Sequence, residues 1–138
     1  MENIYLTAYG DFNDYAFLKK VCDHVLEKIG DKNPFFNSTC GIKNGDKICM
    51  KYVLENGYEH KFLKPRDFQT LLRESSCAIL FDSGSSKGIA LTLKQAAKLV
   101  SGDIYVVYPN LMKVDVYSFG EKPKTLDIEM ENANCKFV

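Results

Sequence analysis

Three short segments carry residue types suited to ligand chemistry. The richest is Asp82-Ser83-Gly84-Ser85-Ser86-Lys87-Gly88, set between a continuous apolar run and a helical pattern. Its glycines let backbone approach a ligand closely, and its small hydroxyls and lysine supply donors. Free amides at a helix start add to these, a combination that suits phosphate or another anion. A solvent-exposed turn is the plainer alternative. The spacing is neither Gly-x-x-x-x-Gly-Lys-Ser/Thr nor Gly-x-Gly-x-x-Gly, so neither phosphate-loop fingerprint is present.

The other two segments are Gly10-Asp11-Phe12-Asn13-Asp14 and Cys40-Gly41-Ile42-Lys43-Asn44-Gly45-Asp46. Gly10 permits a tight turn beside a ligand, and Asp11 can accept from a ribose or base. Asp11, Asn13 and Asp14 equally read as caps of the following helix. Gly41 and Gly45 allow close backbone approach, Lys43 can meet an anion, and Asp46 caps the next helix whether or not a ligand binds. A plain strand-to-helix turn is the rival there.

Catalysis is less specified. Hydrolysis of an N-glycosidic bond needs a carboxylate to position or activate water. Asp11 and Asp46 are the catalytic candidates, with Asp82 close behind because its loop can converge on theirs. Cys40 can act as a nucleophile if a helix N-terminus lowers its pKa, or it is simply a packed thiol at a strand end. His24 falls in a helix and His60 at the start of a weak strand, so no Ser/His/Asp triad can be placed. The five cysteines form no CxxC and there are only two histidines. No metal and no cofactor is expected, and the thiols read as reduced in a cytoplasmic protein.

The elements that must position these loops alternate. Ile4 to Tyr9 is β-rich and stops at Gly10. Residues 14 to 29 carry a helical period through Leu18, Val21, Cys22, Val25, Leu26 and Ile29, ending at Gly30. Pro34 to Thr39 is a weaker strand. A second helix begins near Asp46 and stops at Gly57, Glu59 to Leu63 is a short strand, and Arg66 to Glu74 a brief helix. Cys77 to Phe81 is a buried parallel strand. A helix follows from Ile89 to Ser101, and Ile104 to Tyr108 is another apolar strand.

This order predicts an α/β fold: a compact Rossmann-like three-layer domain with a mostly parallel sheet. Residues 1–112 form the ligand-binding part. Residues 113–138 are a C-terminal β hairpin or extension packed on it, with strands around Val114–Tyr117 and Leu126–Met130. Those strands offer an exposed edge for a homo-oligomer. The 138 residues fit one domain. Zero formal net charge gives no strong argument for nucleic acid. The N-terminus reads as a strand rather than a signal peptide, and the apolar runs are too short to span a bilayer.

The ordered loops resemble the SLOG superfamily, in its YspA/YpsA-like branch. Tyr9-Gly10-Asp11 resembles the family's first element. Thr39 to Asp46 resembles its Ser-Gly-Gly-Ala-Arg-Gly-Ala-Asp-like segment, Arg66-Asp67 its Arg-Asn element, and Asp82 to Ile89 its Gly-x-Ser-x-Gly-Thr-like loop. The resemblance spans roughly residues 4 to 108. It implies a Rossmann-like site that senses or processes a nucleotide-derived ligand, and it adds Arg66 to the candidate ligand residues. It also suits a protein of a phage or mobile element. The chain departs from the family at Cys40 and Asn44, where glycines are usual, and at Ile89 in place of Thr. The related cytokinin-activating phosphoribohydrolases use Pro-Gly-Gly-x-Gly-Thr and a nearby Glu. This chain lacks both, with no Glu between Asp82 and Ser101.

A nucleotide-like small molecule is therefore the leading partner, bound by a sensor or sequestering module. A nucleotide or nucleoside N-glycosidase and a non-catalytic protein-interaction module are the alternatives.

Overall fold

Apolar runs of five or six residues, separated by segments of helical period, become the strands and helices of one layered domain. The computed structural model describes residues 2–82, 87–132 and 134–138. Five strands alternate with four helices: β1 (Asn3–Ala8), α1 (Tyr15–Ile29), β2 (Phe35–Thr39), α2 (Asn44–Glu55), β3 (Glu59–Leu63), α3 (Phe68–Arg73), β4 (Cys77–Phe81), α4 (Lys87–Leu99) and β5 (Ile104–Tyr108). Then come β6 (Lys113–Tyr117), β7 (Lys124–Glu131) and β8 (Asn134–Phe137). Among the described residues one sheet has the order β3-β2-β1-β4-β5-β6-β7-β8. The β1 to β5 pairings are parallel and those beyond β5 antiparallel.

Helix α1 shows how local sequence sets an element. The Asp14 carboxylate accepts from the Phe17 N–H at 3.1 Å at its start. At its end Gly30 adopts φ 76° and donates to Leu26 O, the left-handed stop that glycine takes without a Cβ penalty. Leu18, Val21, Cys22, Val25 and Leu26 make its buried face. With α2 and the inward residues Ile4, Leu6, Phe36, Ile79 and Phe81 they form one core. The opposite face of the sheet presents Tyr5, Ala78, Leu80 and Val106 to α3 and α4. Strand β4 lies between β1 and β5 and is buried throughout, which is why it reads as an unbroken apolar run rather than an alternating one. This is the expected three-layer α/β architecture. Among the described residues no helix is long and apolar enough to cross a membrane.

Three differences from the sequence expectation bear on the site and the tail. Helix α2 starts at Asn44, so Asp46 lies inside its first turn, and the cap position belongs to Lys43, whose side chain makes no capping bond. Packing sets this start: a Cβ on Gly45 would lie 2.0 Å from Ala8 O. Helix α4 likewise starts two residues early, at Lys87. The tail holds three strands rather than two. The missed strand, β8, spans four residues with only Cys135 buried, too short a run for a period to register.

The tail extends the sheet and then folds over α1. The first half of β7 pairs with β6 from Lys113↔Asp127 to Val116↔Lys124, and its second half pairs with β8 from Ile128↔Phe137 to Glu131↔Asn134. Asn132 carries the β7–β8 turn at φ 57°, a conformation Asn tolerates better than most residues. Strand β6 is thus flanked on both sides, and the sheet's outer positions belong to β3 and β8 rather than to the Val114–Met130 strands. Phe137 of β8 meets His24 of α1 edge-on, with ring centroids 4.5 Å apart.

Two outcomes follow from this packing. Gly45→Ala drives a methyl into the β1 backbone and is expected to cost about 1–3 kcal/mol, read as a lowered urea midpoint; an unchanged midpoint refutes the close approach. The His24 imidazole is held below its ordinary pKa by burial and then by Lys28, partly offset by Glu27. Lys20 and Asp23 of α1 and Lys136 of β8 line the same groove. The unfolded chain therefore takes up a proton more readily than the folded one, so stability falls as pH drops through the ordinary imidazole range. Urea denaturation at pH 7.5 and 5.5 should show a smaller loss in His24→Gln than in the native protein; equal losses refute the assignment.

Candidate functional site

The strand order reverses direction between β1 and β4. From β1 the chain passes to α1 on one face of the sheet, and from β4 to α4 on the other. Such a switch point opens a crevice at the carboxyl ends of the two strands. Two clefts occur there, one on each side of Gly10, which lines both.

The first cleft has a volume of about 330 Å³ and lies between α2, α3 and α4. Its floor comes from one face of β1. Tyr5, Thr7 and Tyr9 are two residues apart and all line it, because alternate residues of a strand share a face. Thr39 ends β2 and Asp46 enters from α2. The Thr39 hydroxyl, buried at the cleft wall, donates to Asp46 Oδ1 at 2.7 Å. The other carboxylate oxygen occupies the space a Gly41 Cβ would need, only 2.1 Å from that point. Gly41 is therefore the residue that allows Asp46 to sit where it does.

The α4 side is built differently. Tyr9 extends the β1 ladder by donating its N–H to Phe81 O. Its ring lies against Gly88, where a Cβ would come within 2.8 Å of Tyr9 Cδ1. Its hydroxyl hydrogen-bonds to Thr92 Oγ1. Burial raises the pKa of Tyr9, with the Thr92 bond opposing in part, and burial pushes that of Tyr5 higher still. Both hydroxyls stay protonated at neutral pH. Pro65, Phe68, Leu91 and Ile42 add apolar wall; Ile42 is 90% exposed at the rim.

The second cleft, about 530 Å³, is lined by Asp11, Asp82 and the Pro109–Asn110 turn. Phe12 stacks on Phe81 beside it, with centroids 5.6 Å apart.

The predicted site residues divide accordingly. Gly10, Gly41, Lys43, Asp46 and Gly88 line the first cleft, and Gly10, Asp11 and Asp82 the second. The two carboxylates singled out for catalysis, Asp11 and Asp46, thus line separate clefts. Gly45 is buried against β1. Cys40 is an exposed thiol whose N–H bonds to Leu63 O. The Arg66 side chain is largely exposed, 4.0 Å from Asp67. Gly84, Ser85 and Ser86 lie outside the described residues, as does the Lys87 side chain. Among the described residues no cluster of His, Cys, Asp and Glu could hold a metal ion.

Sequence reasoning missed Tyr5, Thr7, Phe68, Leu91 and Thr92. The polar and aromatic alternation Tyr5-Thr7-Tyr9, interleaved with Ile4, Leu6 and Ala8, was the available signal for the first two. Thr92 follows Gly88 by four residues and so shares its helix face.

Thr39→Val keeps the volume and removes the bond to Asp46. It is expected to lower stability by about 1–2 kcal/mol, whereas Thr39→Ser retains most of it. Chemical denaturation of the two variants checks this, and equal losses would refute the bond's role.

No family model matches the chain, and comparisons with curated proteins and with solved structures find no match.

Proposed function

We propose that this protein binds a nucleotide or nucleotide derivative in the first cleft, as a sensor or sequestering module. The observation that carries the proposal is the cleft's place and lining. It sits at the topological switch point of a parallel sheet, where α/β domains receive such ligands. Its lining offers hydroxyls of Thr7, Thr39, Tyr9 and Thr92 and apolar groups of Phe68, Leu91 and Ile42, and Asp46 is the one carboxylate among the described lining residues. A small set of polar groups within apolar walls is what a small organic ligand with one flat ring requires.

The two helix starts beside the cleft differ in charge. The first turn of α2 contains Asp46, and the first turn of α4 contains no acid. A helix start attracts anions through its unbonded amides. The α4 start is the better place for a phosphate, and the α2 start for an uncharged donor. The five free cysteines favour a reducing compartment, so we place the protein in the cytoplasm.

Isothermal titration against a panel of ribonucleotides at near-physiological salt tests the proposal. At least one should bind, and Gly41→Ala, which displaces Asp46, should weaken it about tenfold or more, roughly 1.4 kcal/mol. Absence of binding across the panel, or binding indifferent to Gly41→Ala, would overturn it.

A further inference from the structure

Resting on that nucleotide-binding reading, we infer that the α2 end of the cleft is a pocket for an amino-bearing nucleobase, read by Asp46 Oδ2. Three features of this end converge. At Gly41 the Asp46 carboxylate and Pro65 pack over the bare Cα, with Pro65 Cγ 3.3 Å from where a Gly41 Cβ would lie. Ile42, beside them, stands 90% exposed at the rim. Ile42 and Pro65, both on the cleft lining, make an apolar shelf for the face of a planar ring. The shelf ends at a carboxylate.

That carboxylate is partly committed. Oδ1 accepts from Thr39, which fixes the rotamer and leaves Oδ2 against Gly41 at the shelf's inner margin. An ionised carboxylate only accepts hydrogen bonds. A ring lying on the shelf would meet it edge-on, and the edge that fits carries an N–H donor. An acceptor edge would be repelled, and a phosphate more so. The hydroxyls that suit a ribose lie elsewhere: Tyr9 and Thr92 are tied together on the α4 side. The orientation that follows is base towards Asp46 and sugar towards Tyr9.

Matched nucleoside pairs test this with the native protein alone. Adenosine and purine riboside differ only by the exocyclic amine. Cytidine and its 4-deamino analogue, and guanosine and inosine, make the same comparison. Titration should show, for at least one pair, that the amino-bearing member binds about tenfold more tightly. Asp46→Asn, checked by circular dichroism for retention of fold, should bring that ratio towards one. If nucleotides bind but every pair binds equally, the base pocket is overturned while the nucleotide reading stands. Equal binding within pairs together with loss on 2′,3′-dideoxy substitution would assign Asp46 to the ribose instead and equally overturn it. If no nucleotide or nucleoside binds, both fall.

Discussion

The first turn of α2 rests directly on the backbone at the end of β1. Gly45 donates its N–H to Gly10 O at 3.4 Å, and a methyl at Gly45 would lie 2.0 Å from Ala8 O. No side chain larger than hydrogen fits this contact without displacing the backbone. The contact decides where α2 begins, and so where its third residue, Asp46, falls. With α2 seated there, the Asp46 carboxylate reaches the Thr39 hydroxyl at the end of β2 and fills the space left by Gly41. Each of these neighbours depends on the one before. If α2 started a residue later, the carboxylate would rotate by about 100° around the helix, out of reach of Thr39.

The opposite wall of the cleft is referenced to the same strand by a side chain instead of by backbone. Tyr9 continues β1, lies on Gly88 and bonds to Thr92, so it fixes the start of α4 against the end of β1. Two of the three helices that frame the cleft, α2 and α4, therefore take their position from β1, which β2 and β4 hold in parallel register on either side. This suits a preformed site, since a ligand entering it would meet polar groups already held by bonds to one another.

Much of this was legible in the residues. The strand and helix order follows from hydrophobic period, and the caps at Asp14 and Gly30 follow from residue type. The loops after β1 and β2 do line the cleft. The sequence was a poorer guide wherever a tertiary contact overrides local preference. Asp46 has the chemistry of a helix cap, yet packing at Gly45 moves the helix start two residues before it. Gly41 and Gly45 look alike in sequence. One makes room for a carboxylate and the other for a backbone carbonyl, and only the three-dimensional arrangement separates them. Asp11 and Asp46 look like a pair of carboxylates, but they lie on opposite sides of Gly10 because β1 ends between them. The tail was under-read for a different reason: β7 keeps its alternation through Leu126, Ile128 and Met130, but β8 has four residues with only Cys135 buried, too few to show a period.

The tail's position bears on the site because of what it leaves uncovered. Strands β6 to β8 add beyond β5, on the far side of the sheet from β2 and β3. Their buried residues, Val114, Ile128 and Cys135, join the core on the α1 face. The cleft described by Gly41, Asp46 and Tyr9 opens on the other face, towards α3 and α4. Widening the sheet in this direction buries more apolar surface, which stabilises a domain of this size, without placing any strand over the switch point. Had the antiparallel strands been added beside β3, they would have approached the loop that carries Gly41 and Ile42. The route of the C-terminal segment thus increases the core while keeping the α2 end of the cleft open to solvent.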